Sequence, residues 1–184
     1  MERSAQAWLC GMVLLSGCGL VPVTDGFHRQ LPSSSERIIV WGNHASTVST
    51  ATTWLQKRGL ASVDQTGLHQ MLDEKQLEEK HLRVRSLQDE AAILRAAKAL
   101  GVGQVVFVHH IGDIRAPMVS IRSIQVETNQ LLWGGSARFP GYHTRPLTEA
   151  LTDLTCQALA TAWGMRPPGE KWFASSEKMC GEEL

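Results

Sequence analysis

Gln104-Val105-Val106-Phe107-Val108-His109-His110-Ile111 is the stretch on which the fold turns. Val105 to Val108 are all apolar, so both faces of this strand need cover, as at the centre of a sheet flanked by helices. Just before it, Ser86 to Leu100 reads as a helix. Asp89 and Glu90 fall in its first turn, where the macrodipole favours acids, and Gly101 is the stop. Its apolar face is made of Ala91, Ala92, Leu94, Ala96, Ala97 and Leu100, small enough to approach a sheet closely. Just after it, Met118 to Val126 alternates apolar and polar residues, and Glu127-Thr128-Asn129-Gln130 turns into Leu131 to Arg138. This pair reads as a β-hairpin, with Asn129 tolerating the positive φ that a tight turn demands.

Further out, Glu36 to Gly42 is a β-branched strand and Ser46 to Arg58 a helix stopped by Gly59. Leu60 to Asp64 is a short strand, and Gln65 to Lys80 a helix with Leu68, Met71, Leu72 and Leu77 in its stripe. Thr144 is placed as the cap of a last helix running to Trp163, with Pro146 in its first turn. The order is β-α-β-α-α-β-β-β-α, which predicts an α/β class: one small mixed sheet with helices packed on it. Residues 19–35 carry Pro22, Pro32 and Ser33-Ser34-Ser35 and read as a spacer; 165–184 read as a tail.

Ala7 to Leu15 is apolar, too short to span a bilayer, and followed by Ser16-Gly17-Cys18. Leu15-Ser16-Gly17-Cys18 matches the bacterial lipobox, which implies cleavage before Cys18 and acylation of that residue. The expected division is therefore 1–17 signal peptide, 18–35 lipidated Cys18 and flexible linker, 36–164 folded domain, 165–184 tail. Gly19 follows the cysteine, not the Asp that retains such proteins at the inner membrane. The expected location is the periplasmic face of the outer membrane.

Formal net charge is zero and no basic stripe stands out, so nucleic acid is not an expected partner. After processing, Cys156 and Cys180 remain as a pair in an oxidising compartment, either as a disulfide or as two thiols with Cys156 buried. His109 and His110 are adjacent on a strand, so they point to opposite faces and do not chelate together. No CxxC or HExxH spacing exists, and no metal or other cofactor is expected. Gly101-Val102-Gly103 lies between helix and strand, the reverse of a phosphate-binding turn. No nucleophile elbow is present. Trp41 and Trp133, on strands, are expected in the core.

Three segments taken in order carry a resemblance. Val63-Asp64-Gln65-Thr66-Gly67-Leu68-His69-Gln70-Met71-Leu72-Asp73-Glu74 is similar to the V-(D/E)-R-x-x-L-x-x-L-L-x-E segment of the CsgG family. Ala91 to Val106 resembles that family's helix-to-strand passage, and Val119 to Trp133 its V-x-(V/L)-R hairpin. The wider superfamily includes LpoB-type activators and domains like the TolB N-terminal domain. The resemblance implies a small mixed sheet and a role in envelope assembly, not catalysis. The family's channel hairpins would sit at 112–117 and 139–143, and both gaps are too short for strands of about 9 to 11 residues. The expectation is a non-enzymatic binding or assembly factor, with an envelope protein or copies of itself as partner. The rival expectation is a small-ligand-binding or enzymatic domain using His109, His110, Arg122 and Arg138 at the sheet edge.

Overall fold

The computed structural model describes residues 22–33, 35–74 and 90–165, the side chains of 72–74 excepted. The described elements are β1 (Val23–His28), β2 (Arg37–Gly42), α1 (Ala45–Gln56), β3 (Ala61–Val63) and α2 (Gln65–Glu74). They continue with α3 (Glu90–Leu100), β4 (Gln104–Ile111), β5 (Met118–Gln125), β6 (Leu131–Arg138) and α4 (Leu147–Ala162). The strands form one mixed sheet in the order β1-β6-β5-β4-β2-β3. β2 runs parallel to β3 and β4; β4, β5, β6 and β1 pair antiparallel. The α/β class, the single mixed sheet and the element order from β2 onward agree with the sequence reading.

The central place of β4 explains its apolar run. Val106 and Val108 face a core shared with α1 and α4, where Ile38, Val40, Trp54, Leu55, Trp133, Leu151, Leu154 and Leu159 are buried. Val105 and Phe107 face a second core with Ile39, Trp41, Leu68, Ile93, Ala96, Ala97 and Leu100 from β2, α2 and α3. Trp41 and Trp133 are both buried, as expected. Asn129 takes φ 55° in the β5–β6 turn.

Two expectations are corrected. Residues 23–28 are not linker: they form β1, paired with β6 from Val23 opposite Arg138 to His28 opposite Trp133. The folded domain therefore starts 13 residues earlier than the expected boundary at 36. The physical reason is that β6 would otherwise leave its outer edge unpaired and part of α4 uncovered. Thr24, nearly fully buried, and Gly26, against the backbone of Thr161 and Ala162, fill that place. The second correction concerns α4, which begins at Leu147 after Pro146, not at a Thr144 cap. Proline drives the residue before it out of the helical region, so Arg145 does not belong to a first turn. Residues 75–80 and 86–89, expected to be helical, lie outside the described residues, as do Cys18 and the tail beyond Met165.

Candidate functional site

The two faces of the sheet are covered unequally. α1 and α4 lie on one face and reach across it. α2 and α3 lie on the other and pack against β2, β3 and β4. The β4–β5 and β5–β6 connections are short and antiparallel, so they add no helix to that second face. Its far half, made by β5, β6 and β1, is left open among the described residues.

The ladder register fixes what that open half displays. Phe107, Arg122, Gly134 and Phe27 form one cross-strand row; His109, Ser120, Ser136 and Asp25 form the next; Ile111, Met118, Arg138 and Val23 form the last. A groove of about 470 Å³ lies across the middle, lined by Asp25, Phe27, Ser120, Arg122, Gly134 and Ser136. Gly134 keeps its floor low: a Cβ there would come within 3.2 Å of the Phe27 ring and 2.9 Å of the Ile121 carbonyl oxygen.

Arg122 closes one side of the groove. Its guanidinium donates to Glu90 in the first turn of α3 and lies 5.7 Å above the Phe107 ring centroid. His109 joins the same group, with Nε2 3.8 Å from the Glu90 carboxylate and its ring edge-on to Phe107 at 6.3 Å. All three polar side chains are partly exposed, so solvent screens these ion pairs and they orient the groups more than they stabilise the fold.

Of the four residues in the rival reading, His109 and Arg122 therefore meet at Glu90. Arg138 shares their face but stands in the end row. His110 faces the other way, edge-on to His44 at 5.7 Å. Asn43 holds the His110 backbone on both sides, donating to its carbonyl and accepting from its N–H, each at 2.8 Å. Burial first, and the neighbouring His44 second, push the His110 imidazole below its ordinary pKa. The four do not converge on one cleft, and Arg122 alone among them lines the groove. Glu90, which joins two of them, was legible only as an acid at a helix start.

Among the described residues, no three His, Cys, Asp or Glu side chains are grouped to hold a metal ion. No described helix is long and apolar enough to cross a membrane. Cys156 is fully buried on α4 with its thiol engaged in a disulfide, while Cys180, its expected partner, lies outside the described residues.

No family model and no curated protein matches the chain, so the CsgG resemblance rests on its three sequence segments. Solved structures do match. The PelC dodecamer from Paraburkholderia phytofirmans superposes with TM-score 0.51 at 14% identity, over 77% of this chain and 96% of that one. A point variant of the same dodecamer gives 0.51 at 13%, over 79% and 99%. The LpoB C-terminal domain from Salmonella enterica gives 0.41 at 16%, over 56% and 82%. The likeness to PelC is one of fold.

Proposed function

We propose that this protein is a lipid-anchored periplasmic protein of the outer membrane that acts as a non-enzymatic binding or assembly factor for envelope machinery, in secretion or cell-wall synthesis. The observation that carries this reading is Leu15-Ser16-Gly17-Cys18, a lipobox closing a short apolar segment directly ahead of a small α/β domain. Gly19 after the cysteine supports the outer membrane over the inner. Among the described residues one face of the half-sheet of β5, β6 and β1 is uncovered and brings together no convergent set of reactive groups, which supports a binding role. PelC, whose fold is similar, is a dodecamer, which makes a second copy of this chain the first partner to test.

The test has two arms. Cys18→Ala should leave an unprocessed precursor about 2 kDa heavier that takes up no palmitate, while Cys10→Ala should change nothing, since Cys10 leaves with the signal. Normal processing of Cys18→Ala would sink the lipoprotein reading. Crosslinking in intact envelopes, followed by native mass measurement of the detergent-extracted protein, should recover an oligomer or a defined protein complex. A monomer with no crosslinked partner would sink the assembly reading.

A further inference from the structure

One end of the sheet gathers the most exposed apolar side chains among the described residues. Val23, Arg138, Met118 and Ile111 stand in one row at the end where β1 begins. The segments 112–117 and 139–146 leave from the same end, joined by the His143 N–H donating to the Arg115 carbonyl at 3.1 Å. Tyr142, Ile114 and Ile111, 72%, 65% and 50% exposed, are the three most exposed large apolar side chains among the described residues, and Val23, at 43%, stands in Ile111's row where this end meets the open face. Arg115 and Arg138 are exposed among them. Four bulky apolar side chains, one with an aromatic hydroxyl, thus share one rim of the molecule with two guanidinium groups and with the Asp113 carboxylate, which accepts from the Arg115 and Ala116 N–H groups.

The chain enters the fold at that rim. Only Gly19-Leu20-Val21-Pro22 separates Cys18 from the first residue of β1. Fully extended, those Cα steps reach about 17 Å. A headgroup layer takes up roughly 5 to 7 Å of this on each side of a bilayer. With residues 23–28 built into the sheet, the tether has little slack left, and the domain does not stand off from its anchor.

We propose that this rim, Val23, Ile111, Ile114 and Tyr142 with Arg115 and Arg138, rests on the lipid bilayer surface. The proposal rests on the lipid-anchor reading above and adds the orientation of the domain. Tyrosine suits this boundary because its ring is apolar and its hydroxyl wet, and arginines beside it meet anionic headgroups. A protein partner at the same rim would have to displace lipid held within tether length, which favours the bilayer as occupant. In this orientation the β5–β6 turn, at the opposite end of the sheet, points into the periplasm.

Nitroxide labels at Ile114→Cys and, in a second protein, at Gln130→Cys test it in the full acylated chain on phosphatidylethanolamine–phosphatidylglycerol vesicles. Both sites are exposed, so neither substitution disturbs the core. The label at 114 should collide several-fold more with lipid-dissolved oxygen than with a water-soluble nickel chelate, and the label at 130 should do the reverse. If 114 is as open to nickel as 130, the rim is off the bilayer and the proposal falls while the lipid anchor stands. If 114 is shielded from both reagents, a protein covers the rim and the proposal falls as well. Mass measurement of the N-terminal peptide reads the acyl chains independently. Their absence would overturn the anchor reading, and with it the tether on which this orientation stands.

Discussion

His110 shows how a single residue couples the fold to pH. Its imidazole is held below the ordinary value of 6.5, by burial first and by His44 second. As pH falls through 6.5 the unfolded chain takes up this proton before the folded one does. Stability from His110 is therefore complete above that value, declines as pH drops through it, and is gone below the lowered folded value. The urea midpoint of the wild type should fall between pH 7.5 and pH 5, and His110→Gln should show a shallower fall. Equal slopes would show that His110 is not the group concerned. A second residue-scale feature was invisible in the sequence. Gln104, fully buried, receives the Ser123 hydroxyl on its amide oxygen and donates to the Glu36 carboxylate, both at 2.8 Å. Each partner is distant in the chain, and a polar residue opening an apolar strand reads only as its boundary.

At the scale of elements, legibility followed hydrophobic patterning. β4, β5 and β6 carry their periods in Val, Ile and Phe, and the expected strand ends hold to within a residue. β1 escaped because its inward positions are Thr24 and Gly26, which carry no apolar signal. They are small because α4 lies close there. The same demand shapes β6, where Gly135 sits so near α4 that a Cβ would fall 2.4 Å from the Ala158 carbonyl oxygen. Backbone on both sides leaves no side chain to swing away, so Gly135→Val must push helix and sheet apart. It should cost about 2 kcal/mol or more, read as a lowered urea midpoint with an unchanged slope. A midpoint within error of wild type would show that α4 is free to shift outward. The candidate groove was legible only in part. Arg122 stands out in the sequence, but the row pairing it with Gly134 and Phe27 depends on β1, whose residues read as spacer.

For the whole molecule, the larger of the two cores among the described residues lies on the α1–α4 side of the sheet. α4 is buried along nearly its whole length and closes the larger core, and Cys156 lies at its middle. The disulfide at Cys156 is therefore anchored on the helix that closes the larger core. The expected bridge to Cys180 would close a loop of about two dozen residues, and loops of that size restrict the unfolded chain by about 3 kcal/mol. In the periplasmic location proposed above, oxidising conditions would keep it formed. Reductant should therefore lower the unfolding midpoint of the wild type. Cys180→Ser should lower it by a similar amount and become insensitive to reductant, since the expected bridge is then no longer there to reduce. Cys156→Ala is the weaker probe, because it also leaves a cavity in the core. If reductant leaves the wild-type midpoint unchanged, the tail is not stapled to α4, and α4 holds the sheet by packing alone.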